Sequence, residues 1–192
     1  MKKIIIGTFF LIHFIVSSNA IEHSSNAIIF NDAFGIGTFS AGEYDGGSVF
    51  VGGFLSTEWI PNSKIGLSYG IESGLTGGKT QNNIIFGIPI IFRIGWYPNF
   101  IKLDKMDFFI FGKLGWAFGI WGSHLEKDST PNGVVAGINI GVRYYIIPKI
   151  AIYSEIGYNY YGLARSNNHP EYPLGYGSGK TYVSAGLSYK LF

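Results

Sequence analysis

The chain has 192 residues and no cysteine, which excludes a disulfide framework and any thiolate metal site. Two of its 14 basic residues, Lys2 and Lys3, lie in an apolar leader, so the remainder balances the 12 acidic residues and leaves no basic cluster for nucleic acid. Only 14% of residues are charged, while 17% are aromatic and 28 are glycine, a composition suited to strands and turns in a membrane.

Residues 1–20 read as a secretory signal peptide. Lys2 and Lys3 precede an apolar run from Ile4 to Val16, and Ser18-Asn19-Ala20 supplies the small residues of a cleavage site. The run is shorter than the roughly 20 residues a spanning helix needs. Residues 21–192 then form one domain.

Alternating segments follow, separated by turn chemistry. Ile28 to Phe39 is the first expected strand, with a loop from Ala41 to Gly47 after it. Val49 to Trp59 is the second; Val49, Val51, Leu55, Thr57 and Trp59 share one face. Pro61-Asn62-Ser63 marks a tight turn before a third strand, Ile65 to Leu75. Thr76 to Asn83 is expected as a polar loop. Its Thr76-Gly77-Gly78-Lys79-Thr80 lacks the glycine spacing and following helix of a phosphate loop. Ile84 to Trp96 is the fourth strand, with even-numbered apolar residues outward. Pro89 interrupts it, and a bulge with a change of parity is expected there, because proline donates nothing to a ladder. A turn from Tyr97 to Asp107 leads to the fifth strand, Phe108 to Ile120. Gly122 to Asn132 is a second polar loop.

The run from Val134 to Tyr160 decides the reading. Val134, Ala136, Ile138, Ile140, Val142 and Tyr144 form one apolar face, and Gly137, Asn139, Gly141, Arg143 and Tyr145 the other. After Ile147-Pro148-Lys149, Ile150, Ile152, Ile156, Tyr158 and Tyr160 resume the apolar face, opposite Ala151, Tyr153, Glu155, Gly157 and Asn159. This is a β-hairpin whose second face is too narrow and too sparsely charged for an outer surface in water. It suits the inside of a small closed barrel, with the apolar face turned to lipid. A long loop over 164–179 and a strand from Lys180 to Phe192 end the chain.

Eight strands, with three turns and four longer loops in alternation, imply an all-β, eight-stranded antiparallel up-and-down transmembrane barrel. Trp59, Trp96, Phe108 and Tyr144 lie beside the turns, and Trp116, Trp121, Tyr158 and Tyr160 lie toward the loops; both sets are expected as aromatic girdles.

The last strand carries a resemblance. Val183, Ala185, Leu187, Tyr189 and Leu191 alternate outward, and Ser184, Gly186, Tyr189 and Leu191 fall in the order of the terminal insertion signal of outer-membrane barrels. Phe192 stands one residue out of that register, so either Leu191 is the terminal hydrophobe or a bulge brings Phe192 round. With the leader and the strand count, the chain resembles the small outer-membrane barrels of the OmpA-barrel, OmpX and OmpW kind. The resemblance implies an outer-membrane location after export, with membrane lipid and the barrel-insertion machinery as partners. It also implies surface loops that contact a host or environmental ligand.

Alternation turns Glu72, Arg93, Lys113, Arg143 and Glu155 inward, with Lys113, Arg143 and Glu155 expected as near neighbours. In so narrow a barrel these charges read as an ion-pair plug, with a gated ion path as the other reading. An OmpW-like conduit for small hydrophobic solutes would instead need an apolar bore and a lateral opening. A lipid-modifying enzyme would need a histidine and a serine held on a rigid wall. His23, His124 and His169 lie near the mature N-terminus or in loops, and His169, Glu171 and Ser178 share a Pro/Gly-rich loop. His124, Glu126 and Asp128 read as a solvated loop, so neither a metal nor another cofactor is expected and the chain is read as a non-enzyme. Tyr44, Tyr172 and Tyr176 place adaptable aromatic contacts in the loops.

Overall fold

The computed structural model describes residues 26–41, 48–62, 64–79, 84–98, 105–122, 132–164 and 176–191. The expected leader, the three mature histidines, Glu126, Asp128, Glu171, Tyr44, Tyr172 and Phe192 lie outside them, as do the side chains of Trp121, Tyr176 and Ser178.

Eight strands close on one another in chain order: β1 (Ala27–Ala41), β2 (Ser48–Asn62), β3 (Leu67–Lys79), β4 (Ile84–Trp96), β5 (Met106–Gly122), β6 (Asn132–Ile147), β7 (Ile150–Ala164) and β8 (Tyr176–Lys190). Every neighbouring pair is antiparallel, and β1 pairs with β8 to seal the cylinder. Closure leaves no edge strand, so each backbone group in the wall has a partner strand on its side. The strands are 13–17 residues long, longer than the ~9–11 residues a tilted strand needs to cross a bilayer. Strand β4 has the expected bounds, and the other strands run further at the loop ends than the alternation predicts. Thr76 to Lys79 belongs to β3 rather than to a loop, and pairs with Gly87 to Ile84.

Two turns at one end of the barrel show their chemistry. Between β2 and β3, the Lys64 amide donates to Asn62 Oδ1 at 2.9 Å and the Gly66 amide to the Asn62 carbonyl at 3.1 Å. Gly66 has φ of 73°, the left-handed conformation that glycine adopts without a Cβ penalty. Strand β3 therefore begins at Leu67, and Ile65 is an exposed turn residue. Between β6 and β7 the turn is Pro148-Lys149, with a register shift between Tyr145 and Ile147.

Pro89 corrects one expectation. It pairs with Ala117 in an unbroken stretch of β4–β5 register, is fully buried and lies between exposed Ile88 and Ile90, so parity does not change there. The shift lies instead between Phe86 and Gly87, toward the loop end. Losing one ladder donor costs a single hydrogen bond, and neighbouring pairs on both sides hold the register.

Alternation sorts the side chains by face. Ile138, Ile140, Ile156, Leu114, Phe34 and Leu187 are exposed, whereas the residues between them are mostly buried. In water so large an apolar exterior would be an aggregation surface, but hydrocarbon solvates it.

Candidate functional site: the ionic bore

The interior of a closed eight-stranded wall is only wide enough for side chains. Glycines on the inner face show how tight it is. A Cβ at Gly137 would stand 1.9 Å from Asn159 Oδ1, and one at Gly141 2.3 Å from Phe109 Cε2. Gly137 sits across from Lys113 and Gly141 across from Glu155. Long charged side chains thus lie over positions where the opposite strand has none.

Four of the expected inward charges come together near mid-bore. Arg93 pairs with Glu72 at 2.7 Å and with Glu155 at 3.0 Å, and Lys113 pairs with Glu72 at 3.0 Å and with Glu155 at 2.8 Å. Each cation bridges both carboxylates, closing a four-membered ring of charge that is neutral as a whole. Tyr182 and Asn139 donate to Glu155 Oε1 at 2.5 Å and 3.1 Å. Such completion matters, because a buried ion pair repays its desolvation only when its remaining hydrogen-bond capacity is filled.

Arg143 corrects the expected arrangement. It does not join Lys113 and Glu155 but pairs with Glu58 at 3.0 Å, nearer the turn end. Its other donors reach Tyr97 Oη at 2.8 Å, Asn31 Oδ1 at 3.0 Å and Ser188 Oγ at 2.9 Å. Tyr97 donates to Glu58 Oε2 in turn. Asn31 donates to Ser56 Oγ at 3.1 Å, and Arg93 donates to the same oxygen at 3.0 Å, so Ser56 joins the two clusters. Among the described residues, three carboxylates and three cations are thus joined in one connected network in the bore.

Aromatic rings cover the cations. Arg93 Cζ lies 4.0 Å from the Phe111 ring centroid and Arg143 Cζ 5.3 Å from that of Phe109. Phe109 and Phe111 pack at 4.9 Å and, with Ala27, Ile29, Ile60, Tyr97 and Tyr153, form an apolar floor toward the turn end. Ring faces attract cations, so this floor binds the ionic layer as well as excluding water. On the loop side Ile91, Ala117 and Val135 form a second apolar cluster.

Six participants carry no mark as site residues in the sequence reading. Glu58 and Ser56 alternate with outward Leu55, Thr57 and Trp59, so their inward parity is readable. Tyr182, Asn31 and Ser188 are readable in the same way from Val183, Phe30 and Leu187. Tyr97 had no such signal. It follows β4 and was expected in a turn, yet its amide donates to the Gly66 carbonyl at 2.7 Å and its ring is buried. On the outside, Trp59 and Tyr69 pack at 6.5 Å, and Trp96, Phe108, Trp116, Tyr158 and Tyr160 are exposed while Tyr144 is half-buried. In the terminal strand, Val183, Ala185, Leu187 and Tyr189 face out and Ser184 in; Leu191, half-buried, follows the strand, its amide donating to the Ile28 carbonyl at 2.9 Å.

No protein-family model and no curated protein matches the chain. Solved structures do. Neisserial surface protein A superposes with a TM-score of 0.66 at 16% identity, covering 88% of this chain and 100% of that one. The outer membrane protein OprG from Pseudomonas aeruginosa gives 0.59 at 10%, covering 90% and 99%. A major outer membrane protein from Thermus thermophilus gives 0.53 at 11%, covering 86% and 99%. At these identities the likeness is one of fold. With its apolar exterior, closed wall and charged inner face, the chain shares the eight-stranded barrel fold of these outer membrane proteins.

Proposed function

We propose that the protein is an integral outer-membrane barrel whose bore is plugged and whose work is done at its surface. The observation that carries this reading is the connected network from Glu72 and Arg93 to Glu58 and Arg143, backed by the aromatic floor. Moving ions through it would require breaking several buried charge pairs at once, each expensive to leave half-made. A conduit for hydrophobic solutes calls for an apolar bore, and the charges at mid-bore weigh against it. The role left to the molecule is structural or contact-making, adhesin-like, through the four loops, where Tyr44 and Tyr172, with Tyr176 at the loop end of β8, supply amphipathic contact side chains. The exposed tryptophans and tyrosines serve as girdles at the two interfaces, and Ser184, Gly186, Tyr189 and Leu191, with Phe192, as the signal read by the insertion machinery. Planar-bilayer recording tests the plug: purified protein should insert without single-channel steps, and reproducible steps in the wild type refute it.

A further inference from the structure

The outer wall, among the described side chains, carries one charge where lipid should be. Among the described side chains, Asp32 is the only charged group on the outward face within the strands, flanked on that face by exposed Phe30 and Phe34. Its β2 partner is Leu55 and its β8 partner Leu187, so it stands at the seam that closes the barrel. Ile28, four residues before it, pairs with Trp59 at the expected girdle. At ~3.3 Å rise and ~40° tilt, this puts the carboxylate roughly 10 Å inside the apolar belt. An ionisable group at that depth is costly to keep without a function.

Two further features coincide with it. Asp32 lies in an open groove of about 770 Å³ on the outer wall, where Leu55, Ile71, Leu187 and Tyr189 supply apolar lining and Thr57 and Ser73 lie beside them. That volume falls in the ~300–1,000 Å³ range of small-molecule sites. Among the described residues its one hydrogen bond comes from the Leu187 amide to Oδ1 at 2.9 Å, which fixes the carboxylate against the wall. The groove thus offers a held negative charge beside a long apolar trough.

We infer that this groove binds a cationic amphiphile, its ammonium on Asp32 and its alkyl chain along Leu55, Ile71 and Leu187. Charge complementarity selects the occupant: a neutral chain fills the trough but leaves the carboxylate in hydrocarbon without a counter-charge, whereas an alkylammonium meets both. The inference rests on the lipid-facing exterior of the proposed function.

The test uses the full barrel in phosphatidylcholine nanodiscs with spin-labelled dodecylammonium, read by NMR relaxation of backbone amides. Enhancement is expected at Leu55, Thr57 and Leu187. It should fall about tenfold in apparent affinity for Asp32→Asn, which keeps an acceptor for the Leu187 amide, and for the uncharged spin-labelled dodecanol on the wild type. Equal binding by the Asn variant, equal binding of the alcohol, or enhancement spread evenly around the barrel overturns it. The alcohol comparison needs no variant and so stands if Asp32→Asn fails to fold. Failure of the lipid-facing reading is distinct, since the protein would then stay monodisperse without nanodisc or detergent.

Discussion

Glu155→Ala is the perturbation that most sharply tests the ionic network. The carboxylate is buried and takes four hydrogen bonds: Lys113 at 2.8 Å, Arg93 at 3.0 Å, Tyr182 at 2.5 Å and Asn139 at 3.1 Å. Alanine removes all four and leaves Arg93 and Lys113 sharing Glu72 alone, with one unmatched positive charge in the bore. Breaking a buried pair from one side costs about 3–5 kcal/mol. With m of about 1–3 kcal/mol/M in urea, the unfolding midpoint in lipid vesicles should fall by about 1 M or more, followed by tryptophan fluorescence and gel mobility. Adding Lys113→Met restores charge balance, so the double variant should recover part of the loss, a coupling of about 0.5–3 kcal/mol. A single-variant midpoint within about 0.3 M of wild type, or a double variant that is merely additive, refutes the idea that these ions hold one another.

Arg143→Met should cost a comparable ~3–5 kcal/mol by stranding Glu58, and Glu58→Gln in the same chain should return part of it in the same urea titration. Gly137→Ala should destabilise by about 1–3 kcal/mol, because its Cβ would stand 2.7 Å from the Tyr158 carbonyl oxygen of the neighbouring strand as well as against Asn159 Oδ1. Gly53→Ala, on the outer face with nothing within 4 Å of its Cβ, should stay within about 0.5 kcal/mol; equal losses at both glycines would contradict the assignment of faces. Ile138→Arg, at a side chain 60% exposed to the surroundings, should cost about 2–4 kcal/mol in a bilayer if it lies near the midplane.

The strand count, the two faces and the closed topology were legible because a strand's period of two survives in a sequence whenever its faces meet different media. Val134 to Tyr160 carries that signal almost without interruption. Charge positions were legible for the same reason, since parity alone turns Arg93, Lys113 and Glu155 inward. Pairing was not. Which carboxylate Arg143 meets depends on strand stagger around the cylinder, and stagger leaves no mark on one chain's pattern. Tyr97 was hidden for a different cause: beyond the end of β4 the alternation stops, and only the tertiary path directs its ring inward. Strand lengths were underestimated at the loop ends because there both faces grow polar or small, as in Thr76-Gly77-Gly78-Lys79, and the pattern fades before the pairing does.

The most direct measurement is a nitroxide scan along β6, made simple by a chain that has no cysteine of its own. Single cysteines at residues 134 to 144 are labelled in lipid vesicles and their collision rates with oxygen, which concentrates in hydrocarbon, are recorded. Labels at 138 and 140 should collide freely and those at 139 and 141 hardly at all, with a period of two. High oxygen access at the odd positions, or no alternation, contradicts a barrel that wears its isoleucines outside and keeps its ions within.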